Sequence, residues 1–466
     1  MNLGEVCIAI RDMFVVFLLV LLSSWSITTT GVIVKSLPGF QGPLPFHLET
    51  GYVGVDERDD VQLFYYFVQS ERNPSEDPLL LWLTGGPTCS ALSALAYEIG
   101  PLYFKDAEKK DDVPTLILNP NSWTKVSNII FLDAPVGSGF SYSNTAQGSE
   151  IYDTTSAQDT FNFLIKWLIE RPEFLSNELY VGGDSYSGII VPIIIQELIR
   201  SIEDGKLPFI NFKGYILGNP VTNRHLEENA YVPYAHAMGL ISTELYESLE
   251  RTCKGEYVNY DKSSIRCSRD YKAYEECVSG TNIQHILEPL CSDYSIKETR
   301  RPLATMRKLL NFNSILSENC RTDAYNLSKT WANNDRVQSA LHIRKGTIKE
   351  WVRCFNVGFP YTNDVTSTIE YHRRISTKGY RSLIYSGDHD MEVSHISTEE
   401  WIQMLNSSIV HDWHQWLVDE HIAGYTRTFS NGMTYATVKG AGHTAPEYMP
   451  KECMAMFTRW ISHNPL

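Results

Sequence analysis

A serine in a turn of small residues is the first group in this chain that could do chemistry. Ser185 lies in GDSYSG at 183–188, between a strand-like run at 178–182 and a helical apolar pattern at 189–202. A serine hydroxyl becomes a nucleophile when a base takes its proton and a turn exposes its oxygen. The motif Gly-x-Ser-x-Gly supplies such a turn when it lies between a strand and a helix. Here Ser187 replaces the second glycine of that motif. The pattern predicts a nucleophilic Ser185; the alternative is an ordinary strand-to-helix turn.

The base and acid that such a serine needs follow it in the expected order. His443, in GAGHTAPEY, comes after a strand-like run at 433–439 and is preceded by glycines that leave room for an imidazole. Most of the 13 histidines have no such placement. The carboxylate partner is Asp388 or Asp390 in SGDHD, and the residues alone do not choose between them.

Backbone N–H groups must stabilise the oxyanion that forms when serine attacks a carbonyl carbon. Gly85 and Gly86, after the run LLLWL, are the candidates for the first donor, and Tyr186, directly after the serine, for the second. The alternative for the glycine pair is a simple tight turn.

Strand-like and helical segments alternate around these motifs, which predicts an α/β fold with a mostly parallel sheet and helices on both faces. Each motif follows a strand, and the carboxyl ends of strands are where active sites of open α/β sheets form. The predicted strands are 61–68, 79–83, 128–133, 178–182, 213–218, 381–386 and 433–439, and the predicted helices are 156–170 and 189–202.

Periodic strands disappear between 221 and 345, where five cysteines and many charges gather. We interpret 221–345 as an inserted cap that divides the core domain into 31–220 and 346–466. The N-terminal residues 1–30 hold a short apolar run, MFVVFLLVLL, which is typical of a signal peptide and too short to span a bilayer.

An oxidising secretory compartment would permit disulfides and glycosylation at the sequons of Asn326 and Asn406. The net charge of −15 argues against a nucleic-acid partner, because phosphate binding needs a basic surface. No Cys-x-x-Cys pair or Cys/His cluster has zinc-site spacing, so we expect no metal centre.

Four motifs together, WLTGGPTCSA, GDSYSG, YSGDHD and GAGHTAPEY, resemble the serine carboxypeptidase family, and the likeness runs from LPGFQGPLPFHLETGYVGV to MFTRWI. The resemblance implies an α/β-hydrolase fold without a cofactor. It also implies that Asp390 is the triad acid and that the N–H groups of Gly86 and Tyr186 form the oxyanion hole.

Peptidases of this family bind a C-terminal carboxylate with an Asn before the glycine pair, a Glu before the nucleophile and a second Glu. Here these positions hold Thr84, Asp184 and Glu98, and with Gly85 they are the candidate substrate contacts. The Thr and Asp pair resembles the plant acyltransferase branch, which uses 1-O-acyl-β-glucose donors, and so does SIVHDWHQWLVDEHIAGYTR. Thr88 stands where relatives have Gly.

The resemblance further implies three disulfides, two of which would staple the cap, and leaves Cys277 and Cys453 as free thiols. The implied pairs are Cys89–Cys354, Cys253–Cys267 and Cys291–Cys320. The basic run inside 292–319 is either a target for excision, which would leave two disulfide-linked chains, or one face of a solvated helix.

The resulting hypothesis is an acyltransferase acting on small-molecule donors and acceptors, located in the secretory pathway and then in the vacuole or outside the cell. One alternative is a carboxypeptidase or esterase with the same triad. The other is a non-catalytic family member that is disabled at Thr88 and retained for binding.

Overall fold

The computed structural model describes residues 31–105, 113–206, 210–291, 320–355 and 359–466. The predicted signal peptide and residues 292–319, which are predicted to be either excised or one face of a solvated helix, lie outside the described residues. None of the helices within the described ranges is long and apolar enough to cross a bilayer.

Short runs of aliphatic and aromatic residues form a twelve-stranded sheet. Its strands are β1 (Val32–Val34), β2 (Leu48–Gly54), β3 (Val61–Val68), β4 (Leu79–Leu83), β7 (Asn128–Leu132), β8 (Tyr142–Ser143), β10 (Leu179–Asp184), β11 (Phe212–Gly218), β13 (Arg381–Gly387), β14 (Ile409–Val418), β15 (His421–Phe429) and β16 (Met433–Val438). Their order in the sheet is β1-β2-β3-β7-β4-β10-β11-β13-β16-β15-β14, with β8 paired to β3. Two smaller ladders pair β5 (Leu102–Lys105) with β6 (Thr115–Leu118), and β9 (Ile151–Tyr152) with β12 (Tyr361–Thr362).

The centre of the main sheet is parallel, from β7 through β4, β10, β11 and β13 to β16. The outer strands on both sides are antiparallel. Central strands such as β4 are buried along their whole length because helices cover both faces. Leu80 and Trp82 therefore belong to one core cluster, and Leu79 and Leu81 to the other.

Twelve α-helices occur in the described ranges, and they connect or cover the strands. They are α1 (Asp153–Glu170), α2 (Ser187–Glu203), α3 (Arg224–Asn229), α4 (Tyr231–Ala237), α5 (Thr243–Cys253), α6 (Ile265–Val278), α7 (Arg321–Ala332), α8 (Asp335–Ala340), α9 (Ile369–Ser376), α10 (His395–Met404), α11 (Ala445–Tyr448) and α12 (Pro450–Ile461). Helices α1, α2 and α10 pack on one face of the sheet, and α12 packs on the other. The predicted α/β-hydrolase architecture is confirmed.

The segment predicted as a cap contains α3 to α8 and contributes no strand to the main sheet within its described residues. Helices α4 to α6 bury a separate small core that includes Val232, Leu249 and Tyr274. Val337 of α8 instead belongs to a core cluster of the sheet. The boundary of the cap at 345 stays a prediction.

Candidate active site

The candidate nucleophile lies in a sharp turn between β10 and α2. Ser185 has a φ of 53°, in the left-handed region that costs a non-glycine residue roughly 1–3 kcal/mol. Gly183 permits the turn, because a Cβ there would lie 2.5 Å from both the Leu83 carbonyl oxygen and the Ser187 Cβ. The turn leaves Ser185 only half-buried and projects its hydroxyl at the carboxyl edge of the sheet.

Residues from three separate strand ends meet at this hydroxyl. The Nε2 atom of His443 lies 2.7 Å from Ser185 Oγ, and its Nδ1 atom lies 2.8 Å from Asp390 Oδ2. Asp388 does not contact the imidazole; its Oδ1 accepts a 2.7 Å hydrogen bond from the Gly440 N–H. The geometry matches that of a Ser-His-Asp triad, and Asp390 is the aspartate that contacts the imidazole.

Asp390 is completely buried and is held by several donors. Oδ1 accepts from the backbone N–H of Glu392 at 2.8 Å, and Oδ2 accepts from the Asn219 side-chain amide at 2.8 Å. The sequence analysis did not identify Asn219 as a site residue. It directly follows β11, as the other site motifs follow their strands, and that placement was the available signal.

The imidazole of His443 is surrounded by acids. Burial lowers its pKa, but the nearby carboxylates raise it more, so that its pKa lies above the ordinary value of 6.5. These carboxylates belong to Asp390, Glu392 and Asp184. They favour the imidazolium that forms when histidine takes the serine proton.

The glycine pair lies against the nucleophile, where backbone must approach closely. A Cβ on Gly85 would lie 2.5 Å from the Ser185 Cβ, and Gly86 has a φ of +121°. Tyr186 precedes the first turn of α2, where backbone N–H groups lack helical partners. The candidate oxyanion donors, Gly86 and Tyr186, thus lie in the loops that flank Ser185.

Besides Gly85, the three other candidate substrate contacts, Thr84, Glu98 and Asp184, are buried. The Oδ1 atom of Asp184 accepts a 3.0 Å hydrogen bond from the Gly85 N–H. The Thr84 hydroxyl and the Glu98 Oε2 atom are buried without a hydrogen-bond partner. Unpaired buried polar atoms are costly, which makes both available to a ligand.

Burial raises the pKa of Asp184 to about 6, and burial together with the Asp184 and Glu447 charges raises the pKa of Glu98 well above its ordinary value. Arg353, also missed from the sequence, opposes both shifts and lies 3.7 Å from the Tyr325 ring centroid. The only sequence signal for Arg353 was that it precedes Cys354, whose disulfide partner, Cys89, lies beside the glycine loop.

Thr88 is accommodated without strain, because it lies outside the positive-φ region. Its hydroxyl accepts from the Phe355 N–H and donates to the Phe355 carbonyl, both at 3.1 Å. The neighbouring Cys89–Cys354 disulfide links the same two segments.

The cysteines pair as the resemblance implies, with Cys253–Cys267 and Cys291–Cys320 in the cap region. Cys277 is exposed and Cys453 buried, and both are free thiols. Asn326 and Asn406 are exposed, so glycosylation stays a prediction at both. In the described part of the chain, no three His, Cys, Asp or Glu side chains are grouped to hold a metal ion.

Comparison with known proteins places this geometry in a family. The profile of the serine carboxypeptidase family, Peptidase_S10, matches residues 38–463. The chain is 49% identical to serine carboxypeptidase-like 19 of Arabidopsis thaliana over 97% of this chain and 98% of that protein. It is 50% identical to serine carboxypeptidase-like 13 of the same plant, over 97% and 99% of the two chains.

A solved structure supports the fold. The crystal structure of Kex1(delta)p, a prohormone-processing carboxypeptidase from Saccharomyces cerevisiae, superposes with a TM-score of 0.72. The match covers 93% of this chain and 95% of that one at 19% identity. By its profile match and its relatives, the chain belongs to the serine carboxypeptidase family.

Proposed function

We propose that this protein is an acyltransferase that moves an acyl group from a 1-O-acyl-β-glucose to a hydroxyl or amine acceptor through an acyl-Ser185 intermediate. The proposal rests on the triad geometry combined with the residues at the carboxylate-binding positions of the family. A secretory location, in the vacuole or outside the cell, belongs to the same proposal and is supported by the disulfides.

The first half-reaction transfers the acyl group to the enzyme. Ser185 Oγ attacks the acyl carbonyl carbon while its proton passes to His443 Nε2, 2.7 Å away. The N–H groups of Gly86 and Tyr186 receive the oxyanion. The bond between the acyl carbon and the glucose oxygen then breaks, and His443 returns the proton to that oxygen.

The second half-reaction runs the same chemistry with an acceptor. His443 takes the acceptor's proton as its oxygen or nitrogen attacks the acyl carbon, and the bond to Ser185 breaks with return of the proton to Oγ. Asp390 keeps Nδ1 of the imidazole protonated throughout, which leaves Nε2 free to exchange protons.

Transfer is favoured over peptide hydrolysis by the contact that Asp184 makes and by the chemistry of the Thr84 side chain. Asp184 is shorter than Glu and its Oδ1 already accepts from the Gly85 N–H. Thr84 offers one hydroxyl where an amide would donate to a peptide carboxylate. A neutral glucose leaving group makes no demand for that carboxylate site.

Glu98 favours the second candidate, a carboxypeptidase. Burial and the Asp184 and Glu447 charges raise the pKa of Glu98 well above its ordinary value and so favour its protonated form, and a protonated carboxyl can donate to a peptide carboxylate. The two candidates differ in substrate and not in triad chemistry.

The test compares the two substrate classes in separate incubations. The purified protein is incubated with a 1-O-acyl-β-glucose and a mixture of alcohol and amine acceptors, and separately with N-blocked dipeptides at pH 5 and 7. We expect acylated acceptor and free glucose, and no released amino acid. The Ser187 hydroxyl donates to the Leu83 carbonyl. Ser187→Ala, which removes that hydroxyl, is therefore the matched control for Ser185→Ala, which removes the nucleophile. Release of amino acids without acyl transfer would establish the peptidase instead.

A further inference from the structure

A short cap segment without regular structure joins the two loops that carry the triad's acid and base. This bridging segment is residues 282–288, between α6 and Cys291. The acid loop is residues 388–392, and the histidine loop is residues 440–443. The two loops follow different strands, β13 and β16.

The bridging segment binds the acid loop through backbone hydrogen bonds. The Ile283 carbonyl accepts from the N–H of Met391 at 2.9 Å and from that of Glu392 at 3.1 Å. The Ile286 N–H donates to the His389 carbonyl at 3.1 Å. These contacts enclose Asp390 between two anchored neighbours.

The same segment binds the histidine loop. The His443 N–H donates to the Gln284 carbonyl at 2.8 Å, and Nε2 of His285 lies 3.2 Å from the Gly440 carbonyl oxygen. A Cβ on Gly442 would lie 2.4 Å from the Gln284 carbonyl oxygen, so the two backbones approach too closely for any side chain there.

His285 is a buried side chain of the segment that bonds to the histidine loop and packs against an aromatic neighbour. It is 7% exposed, and its ring centroid lies 4.7 Å from that of Tyr448. Its Nδ1 accepts a 3.3 Å hydrogen bond from the Leu287 N–H. One neutral tautomer, protonated on Nε2, satisfies both partners. Burial also favours the neutral form of the ring, because it lowers the pKa of His285.

We propose that the bridging segment is a positioning element for the triad and that His285 is its positioning residue, which holds the histidine loop so that His443 stays on both Ser185 and Asp390. The inference rests on Ser185 being the nucleophile of the proposed function, but not on the identity of the acyl donor or acceptor.

A network of ion pairs anchors the far end of the segment. Arg321 donates to both carboxylate oxygens of Glu288, at 2.9 and 3.0 Å, and to Oε1 of Glu447 at 3.1 Å. Its guanidinium carbon lies 3.9 Å from the Tyr448 ring centroid. Tyr448 packs on both His285 and Arg321, so the anchor and the positioning residue share one support.

Three substitutions test the two hydrogen bonds of His285 one at a time and together. In His285→Gln the amide nitrogen reaches the place of Nε2 and keeps the bond to Gly440. In His285→Asn the amide oxygen takes the place of Nδ1, so that the bond to Leu287 remains but the bond to Gly440 is lost. His285→Phe keeps the ring and loses both bonds. His372→Phe is the matched control, since this buried histidine bonds Tyr215 away from the triad.

The readout is the rate at which a fluorophosphonate probe labels Ser185, because labelling needs the triad but no glucose ester. We expect His285→Gln to label within about twofold of the unchanged protein. His285→Asn and His285→Phe should label roughly tenfold more slowly, as expected for a small misplacement of a reacting group. Each rate is corrected for the folded fraction, measured by thermal unfolding.

The pH profile of labelling distinguishes positioning from lost stability. If His443 moves away from Asp390, the pKa of His443 falls towards 6.5, and the labelling rate begins to rise at a lower pH. Lost stability alone lowers the labelling rate at every pH and leaves the position of that rise unchanged. The acids facing His443 are Asp390, Glu392, Asp184 and Glu98, and the groups facing His285 are Glu288, Arg321, His389 and Tyr448.

A displaced profile in His285→Asn and His285→Phe, with His285→Gln and His372→Phe unchanged, would support the proposal. Equal rates and equal profiles in all variants would overturn it, and so would a His285→Gln variant as slow as His285→Phe. Absence of labelling in the unchanged protein would instead reject the nucleophile itself, and with it the proposed function.

Discussion

Two aspartates of one loop bind different groups through their carboxylates. Asp390 contacts the His443 imidazole, whereas Asp388 accepts from the Gly440 N–H. Loss of the Asp390 charge removes both the orientation of the imidazole and the stabilisation of its protonated form. Asp388→Asn keeps an oxygen that can accept from Gly440.

We expect Asp390→Asn to lower kcat by about 10⁴-fold, as for the acid of comparable triads. Asp388→Asn should lower it less than tenfold. Ester hydrolysis or acyl transfer at saturating substrate measures both, and a greater loss in Asp388→Asn would show that the acid is wrongly assigned.

Thr88 offers a second test at the level of single residues, because its hydroxyl bonds both backbone groups of Phe355. Thr88→Ser keeps the two bonds, and Thr88→Val keeps the shape without them. We expect Thr88→Ser to retain activity and Thr88→Val to lose several-fold in kcat, as the glycine loop loses part of its anchorage beside the Cys89–Cys354 disulfide. Equal activities would mean that the disulfide alone suffices.

At the scale of elements, the strands that carry the site were predictable because they are buried on both faces and therefore apolar throughout. Runs such as 61–68 and 79–83 coincide with β3 and β4. The edge hairpin of β14 and β15 was not predicted, since β14 is exposed along most of its length and lacks a buried face to impose alternation. The bridging segment was also missed, because backbone hydrogen bonds to distant loops leave no pattern in side-chain types.

The ends of residues 292–319, the candidate segment for excision, are joined in two ways. Cys291 and Cys320 form a disulfide, and Arg321 pairs with Glu288 on the other side of it. Cleavage between the cysteines would therefore leave the bridging segment anchored.

We expect protein from the native source to migrate as one band without reductant and as two bands with it, and to keep its fluorophosphonate labelling after cleavage. Gel electrophoresis of labelled protein measures both properties together. A single band of full mature size under reduction would contradict excision and leave the triad unaffected.

At the scale of the whole molecule, several buried or half-buried acids have folded-state pKa values above their unfolded values. Burial, with repulsion from Asp56, raises the pKa of Asp159 from 3.8 to about 7, and burial raises that of Glu227 from 4.5 to about 7. The pKa of His443 is raised above 6.5 by its carboxylate neighbours, against burial. In each case the folded state binds the proton more tightly than the unfolded state does.

Stability must therefore fall as pH rises between the unfolded and folded pKa values of these groups. Between pH 6.5 and 8 the unfolded carboxyls are already ionised, while the folded ones still release protons. Histidines such as His372, whose pKa burial lowers to about 3, oppose this fall near pH 6.5, because the unfolded imidazole is still partly protonated there; near pH 8 they contribute little. The groups with raised pKa therefore govern the upper part of the window.

We expect the free energy of unfolding to fall by on the order of 2 kcal/mol from pH 6.5 to pH 8, which lowers Tm by a few degrees. Differential scanning calorimetry across this range measures the change. Asp159→Asn should remove part of the dependence, because the amide carries no proton to lose. Asp204→Asn is the control, because Asp204 is exposed and a hydrogen bond from Lys206 lowers its pKa. Asp204 therefore affects the pH dependence of stability only at pH values below this window. A Tm that rises towards pH 8 would contradict the assignment. A fall would mean that the acids buried around the sheet and triad make the whole molecule better suited to mildly acidic surroundings.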